Sequence, residues 1–348
     1  MRKKPLVCLY EDRPSQIAGL KLLLLSLSGF CPDWPILLNF PNLPSSLRYW
    51  LGRIPGLQLT SVPFAGCGSY NVKPQVLAAG LATGADRCVW LDTDVLVRAP
   101  IANLFDLPAD TLLVTEDPWV YSGGSSYRAH VWGLPPGRSL QGPMNTGVVS
   151  VTQEHTALLA AWQRLMSKEW YVAEQKLPVD ERNRLALGDQ DVLSALLASE
   201  EFAAVPLELL RHGSEILHHH GAGAFAGAER WKCVLHGIPP LLHAMGSTKP
   251  WLMQHRPQLC KAPRAYYERY YLEMSPYVHL ARTYRSLMDE DCSWMDVQTA
   301  PGRLSAMLLR VHPALAGVSQ AVLHRLNHTR QQSRVFLPCV ENGGAASC

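Results

Sequence analysis

Two short patterns carry the groups that could do chemistry: Asp92-Thr93-Asp94 at the end of an apolar run, and His243-Ala244-Met245-Gly246-Ser247-Thr248-Lys249-Pro250-Trp251 much farther along the chain. Between them they supply two carboxylates, an imidazole and an ammonium, the groups needed to hold a hard divalent cation and a diphosphate. Cys88-Val89-Trp90-Leu91 has strand composition, and Val95-Leu96-Val97 continues it past the acids. Side chains alternate along a strand, so Asp92 and Asp94 are expected on one face and Thr93 on the other. Two carboxylates that close repel one another unless something positive sits between them, so the pair either binds a cation or raises one carboxyl pKa. Mg²⁺ takes one or two carboxylates plus substrate phosphate oxygens, and an added imidazole tilts the choice toward Mn²⁺. D-x-D is also common at solvated strand ends, and the acids alone do not separate the two readings.

The second pattern supplies context. His243 follows Pro239-Pro240-Leu241-Leu242, and the stretch from Gly246 to Pro250 has loop composition. Such a loop brings backbone N–H groups and the Lys249 ammonium, a compact point charge, to phosphate oxygens. Taken singly, His243 reads as a packed or exposed histidine and Lys249 as a surface lysine.

The elements that must position these residues alternate. Strands are predicted near Leu6 to Tyr10, Pro35 to Asn39, Leu57 to Val62, Thr111 to Thr115 and Gly147 to Val151. Helices are predicted near Ser15 to Ser28, Val76 to Ala82, His155 to Lys168 and Gln190 to Ala198. Short apolar runs alternating with helices imply an α/β fold with a largely parallel sheet and a ligand at its strand ends.

The chain has 348 residues, 47% of them hydrophobic, enough to bury the core of one catalytic domain, residues 1–260, with a smaller helical region, residues 261–348. This is the composition of a soluble globular enzyme. A net charge of +3 without a basic, aromatic-interleaved run argues against nucleic acid. Nine cysteines without C-x-x-C spacing fit reduced thiols in a cytoplasmic compartment. Arg2-Lys3-Lys4 precedes a leucine-rich run, but Glu11, Asp12, Arg13 and Pro14 interrupt the interval, so the run reads as a first helix and not a signal or membrane span.

Tyr70-Asn71-Val72-Lys73, Val89 to Val97, Met144-Asn145-Thr146-Gly147-Val148, Gly188-Asp189-Gln190-Asp191-Val192-Leu193 and the His243-to-Trp251 loop occur in this order. In that order, over roughly the first 255 residues, the chain resembles glycosyltransferase family 8, the retaining, metal-dependent enzymes that include glycogenin-like and lipopolysaccharide hexosyltransferases. The resemblance implies a GT-A-type nucleotide-sugar-binding domain that moves a hexose from a donor, UDP-linked in that family, to a saccharide, lipid-linked or protein acceptor. It implies Mn²⁺ or Mg²⁺ held by Asp92, Asp94 and His243, and a donor diphosphate held by Lys249 and the Gly246 backbone. Lys73 and Asp117 would contact the donor sugar or the acids around it. Asn145, Asp189 and Gln190 would surround the anomeric carbon and the acceptor, with Val7 to Asp12 leading into the uridine-contacting loop. From the residues alone, Asn145-Thr146-Gly147 is also a turn signal and Asp189 also a helix cap. Two further readings stay open: a catalytically silent sugar-nucleotide-binding or scaffold protein, and a metal-dependent nucleotidyltransferase, which would leave the His243 loop unexplained.

Three stretches lie outside these blocks. Val120 to Pro143, rich in Gly, Ser and Pro, reads as an acceptor-side lid or a plain surface insertion. His218-His219-His220 reads as part of a flexible polar loop. From Val297 to Val340 there is no acidic residue, while arginines recur among apolar residues. This basic amphipathic pattern suits either peripheral contact with an anionic membrane or helices packed on protein.

Overall fold

The computed structural model describes residues 4–64, 68–117, 125–140, 142, 144–183, 185–219, 227–246, 249–253, 258 and 260–308. In chain order the elements are β1 (Leu6–Tyr10), α1 (Ile17–Phe30), β2 (Ile36–Asn39), α2 (Ser45–Leu51), β3 (Leu57–Thr60), α3 (Lys73–Ala82), β4 (Cys88–Leu91) and β5 (Val95–Val97). Then come β6 (Leu112–Glu116), α4 (Ser125–Val131), β7 (Met144–Val151), α5 (Thr156–Met166), α6 (Glu169–Glu174), α7 (Asp189–Leu197), β8 (Leu207–Leu210), β9 (Ile216–His218), α8 (Gly227–His236) and β10 (Leu241–His243). Three helices close the described chain, α9 (Pro263–Glu273), α10 (Pro276–Ala281) and α11 (Ala300–Leu308).

The fold is α/β. A seven-stranded sheet runs β3-β2-β1-β4-β7-β6-β8, parallel at β3-β2, β2-β1, β1-β4 and β6-β8 and antiparallel on both sides of β7. Chain order reverses between β1 and β4, which opens a crevice beyond their carboxyl ends. Because β7 is antiparallel to both β4 and β6, its first residues lie at the same edge where β4 and β6 end. The central strands β1 and β4 are apolar and buried along their length, as strands covered on both faces must be.

The two covers differ. On one face α3, α5 and α7 pack Val76, Leu77, Leu158, Trp162, Val192 and Leu196 onto the sheet. On the other lies α1, whose Leu20, Leu23, Leu24 and Leu27 face the large sheet while Leu22 faces a second, three-stranded sheet, β5-β10-β9. A helix caught between two sheets must be apolar nearly all round, which is why this leucine run resembles a membrane segment in sequence. No helix among the described residues is long and apolar enough to cross a membrane. Tyr271, Tyr277 and Val278 of α9 and α10 join Leu96, Leu217 and Leu242 of the second sheet in one apolar cluster.

The structure corrects several expectations. The acidic strand is not continuous: β4 and β5 belong to different sheets, and Asp92-Thr93-Asp94 forms the connection, turned by a Val95 N–H to Asp92 C=O bond of 2.9 Å. Part of Val120 to Pro143 is helical and packed: Ala129 and Trp132 are buried, and the Trp132 indole donates to Leu185 C=O at 3.1 Å. Residues 120–124, 141 and 143 of that stretch lie outside the described residues. His218 is not in a flexible loop; it ends a buried strand, because Ile216-Leu217 pairs in parallel with β10. His220 and the tail beyond 308 lie outside the described residues. Leu304 and Met307 of α11 are exposed.

One close approach seats Trp251 against α1. A Cβ on Gly19 of α1 would lie 2.6 Å from the Trp251 ring and 2.8 Å from Thr93 C=O, and the Trp251 indole donates to Ser15 C=O at 2.9 Å. Gly19→Ala should therefore destabilise the protein by about 1–3 kcal/mol through overpacking, despite alanine's better helix propensity. Urea unfolding midpoints compared with wild type read this directly.

Candidate active site

Lys73 opens α3 and is buried, with an environment built for its charge. Its Nζ lies 3.0 Å from Asp92 Oδ1 and 3.2 Å from Asp189 Oδ2, and it donates to Thr146 C=O at 2.9 Å and Thr146 Oγ1 at 3.0 Å. Burial works against the ammonium, but the Asp189 and Asp92 carboxylates outweigh it and hold the Lys73 pKa above the ordinary lysine value. Asp92 Oδ1 also accepts the Trp90 indole N–H at 2.7 Å. With Oδ1 engaged by Lys73 and Trp90, Oδ2 lies 3.7 Å from His243 Nε2.

Asp94 comes from the other end of the turn. Its Oδ1 is 3.3 Å from His243 Nε2, and its Oδ2 meets the Lys249 ammonium, which also donates to Ala244 C=O at 2.8 Å. Burial alone would raise the Asp94 pKa, but Lys249 and His243 prevail and hold it well below the usual carboxylate range. Thr93, between the acids, points the other way and donates to Glu11 Oε2 at 2.6 Å. Glu11, fully buried after β1, clamps the Arg13 guanidinium, with Nε 2.8 Å from Oε1.

One ligand atom from each of Asp92, Asp94 and His243 falls within 4.8 Å of the others, the one such cluster found among the described residues. Two carboxylate oxygens and one imidazole nitrogen fit a hard or borderline divalent ion such as Mn²⁺ or Mg²⁺. His243 reaches this place because Gly147 of β7 leaves room: a Cβ there would lie 2.7 Å from His243 Nδ1 and 2.8 Å from Asn145 Oδ1.

Beside this cluster runs a chain of amides and acids. Asn145 Oδ1 accepts the Gly147 N–H at 2.7 Å, and its Nδ2 donates to Gln190 Oε1 at 3.1 Å. The Gln190 amide in turn donates to Asp117 Oδ2 at 3.2 Å. Asp189 is the first residue of α7, but the helix is capped by Asp191, whose Oδ2 accepts the N–H groups of Leu187 at 2.9 Å and Gly188 at 3.4 Å. The Asp189 carboxylate is thereby left to Lys73 and to Thr146, whose hydroxyl donates to it at 2.6 Å. Burial pushes the Asp189 carboxyl above its ordinary value against the pull of Lys73.

Ten residues singled out in the sequence thus gather at one edge of the sheet: Lys73, Asp92, Asp94, Asp117, Asn145, Asp189, Gln190 and His243, with Gly246 and Lys249 on the adjoining loop. Gly246 has φ +91°, a backbone conformation that favours glycine. Sequence reading assigns no individual role to Trp90, Gly147 or Glu11, the last named only within the stretch leading to the uridine-contacting loop, and it places His218 in a flexible loop. The first three carried no signal beyond lying within or next to recognised blocks. For His218 the signal was the apolar pair Ile216-Leu217 before it.

No family model and no curated protein matches the sequence. Among solved structures, the chain is similar to the glycosyltransferase GlyE of Streptococcus pneumoniae TIGR4 in its apo form, with 16% identity, a TM-score of 0.44 and coverage of 82% of this chain and 64% of that one. It is similar to the bifunctional glycosyltransferase WbbM, with 14% identity, TM-score 0.49, and 80% and 51% covered. It is also similar to the galactosyltransferase LgtC in complex with donor and acceptor sugar analogs, with 18% identity, TM-score 0.48, and 81% and 100% covered. This chain therefore spans about two thirds of the GlyE chain and half of the WbbM chain.

The glycine at β7 is a direct handle on the cluster. Gly147→Ala should displace the His243 ring and weaken binding of a divalent ion offered to the cluster by roughly tenfold or more. Gly142→Ala, whose methyl would meet nothing within 4 Å, should bind like wild type. Titration calorimetry with MnCl₂ on both variants measures the difference.

Proposed function

We propose that this protein is a metal-dependent, retaining glycosyltransferase of GT-A type, similar to family 8, moving a hexose from a nucleotide-sugar, UDP-linked, to a sugar-bearing acceptor. The observation that carries the reading is the convergence of Asp92, Asp94 and His243 beside Lys249, at the strand-end crevice where α/β sheets take ligands. Asp92, Asp94 and His243 would hold Mn²⁺ or Mg²⁺. When bound, the ion stabilises negative charge on the departing diphosphate electrostatically.

The chain's own residues do the rest. Lys249 exchanges its contact with Asp94 for the diphosphate, and the Gly246 turn brings backbone with it. Trp251, docked on α1, fixes the far end of this loop. The segment after β1, from Glu11 to Arg13, which receives the Thr93 hydroxyl, would meet the nucleoside. Lys73 holds Asp92 and Asp189 a fixed distance apart, so a sugar beside them meets a preorganised negative surface as oxocarbenium character develops. Gln190 is held by Asn145 and Asp117 with its amide oriented. An amide is a poor nucleophile, which favours departure of the leaving group and attack of the acceptor on the same face, the phosphate oxygen taking the acceptor proton.

Two variants test the reading. Asp94→Ala should abolish Mn²⁺-dependent binding of UDP while far-UV circular dichroism stays that of wild type. Unchanged affinity with Mn²⁺ would refute the site. Asp189→Asn should lower kcat with UDP-hexose by about a hundredfold or more and leave donor affinity nearly unaltered, because its interaction strengthens in the transition state. Asp191 already reaches back over the start of α7, so a mere helix-cap role for Asp189 predicts near-normal turnover.

A further inference from the structure

His218 is not one of the three clustered residues, yet its ring is fully buried and bonded on both sides. Its Nε2 is 3.1 Å from Glu116 C=O at the end of β6, and its Nδ1 is 3.0 Å from Nδ1 of His243. The two rings meet edge to face at 5.0 Å between centroids, and the two residues are register partners in the parallel pair of β9 and β10. A carbonyl oxygen only accepts, so His218 Nε2 must carry its hydrogen toward Glu116. A neutral His218 then has a bare Nδ1, and the short nitrogen–nitrogen contact requires His243 to donate through its own Nδ1. That leaves His243 Nε2 as the nitrogen facing Asp94 and Asp92.

We infer that His218 is a positioning residue for the metal site, fixing the tautomer and ring orientation of His243 so that Nε2 presents its lone pair to a divalent ion. The inference rests on the metal-site reading above and extends it by one shell. The chain of bonds runs from a backbone carbonyl of the large sheet through His218 to His243, whose Nε2 would hold the ion. It ties the ion to the junction of the two sheets and not to the short β10 alone. Ligating histidines generally donate their other ring hydrogen to such an acceptor, which raises their basicity and holds the ring. Here the acceptor is a second imidazole, itself set by a carbonyl. Replacing it with an apolar ring would leave the His243 Nδ1–H and the Glu116 carbonyl unpaired and let the His243 ring turn.

The test uses Mn²⁺ alone, followed by the electron paramagnetic resonance signal of the free aqua ion, with no donor and no turnover. His218→Phe keeps the ring volume and removes the acceptor; it should weaken Mn²⁺ binding about 10- to 100-fold. His218→Asn places an amide oxygen where Nδ1 was and should bind within about threefold of wild type, although its smaller side chain leaves a cavity and lowers the unfolding midpoint further than Phe. Affinity and stability then rank the two variants in opposite order, which a merely structural role does not produce. Wild-type affinity in His218→Phe, or an Asn variant weakened as much as Phe, overturns the proposal while Asp94→Ala still fails to bind. Mn²⁺ binding that survives in Asp94→Ala overturns the metal site itself and this proposal with it. In protein labelled with ¹⁵N-histidine, His218 Nδ1 should resonate as a bare, pyridine-type nitrogen. A protonated Nδ1 on that ring would sink the inference independently of any variant.

Discussion

The buried ammonium of Lys73 is the interaction on which the site depends. It is the cation between two carboxylates from distant parts of the chain, Asp92 after β4 and Asp189 at the start of α7, and Thr146 of β7 completes its shell. Breaking a buried ionic arrangement by removing one partner typically costs about 3–5 kcal/mol, because the charge left behind is neither solvated nor paired. That penalty locks α3, β4, β7 and α7 into one relative placement. An arrangement costly to form and costlier to break is a poor device for bulk stability, where apolar packing would serve better, and a good one for holding acids at a set separation.

The second constraint is the junction of two sheets. The connection from β4 to β5 leaves the large sheet and enters the small one, and Asp92 and Asp94 sit at its two ends. His243 belongs to the small sheet, pairing with Val95 in β5 and His218 in β9, while Gly147 of the large sheet admits its ring. The cluster is thus assembled between sheets, and α1 packs leucines on both, so its apolar faces hold the junction closed. Where Lys73 positions Asp92 from one side, Lys249 and the Trp251 contact with α1 position the Asp94 side. Each acid thus has its own ammonium, Lys73 for Asp92 and Lys249 for Asp94.

Much of this was legible in the sequence. Apolar runs alternating with helices specify an α/β sheet, since both the period and the length of each run are local properties. The D-x-D acids, the histidine–lysine loop and the Asn145 and Asp189 blocks announced themselves by residue type and order. The strand through the acids looks continuous in the sequence because Cys88 to Leu91 and Val95 to Val97 each have strand composition. Nothing local states that they hydrogen-bond to different partners.

By itself, then, the sequence determined the chemical inventory and the succession of elements: which side chains can ionise, coordinate or donate, and where the chain is extended or helical. Only the tertiary structure decided which of these meet. Residue type and period alone make Lys73 an ordinary lysine, and its burial among Thr146 and two acids comes only when α3 packs. Asp189 reads as a helix cap until Asp191 is seen to fill that role. His218 reads as one of three loop histidines until β9 pairs with β10 and puts its ring between Glu116 and His243. The reason is the same in each case: residue type and period are carried by neighbouring positions, whereas desolvation and hydrogen-bond partnership arise from groups tens to hundreds of residues away, which come together only when the sheets pair and the helices cover them.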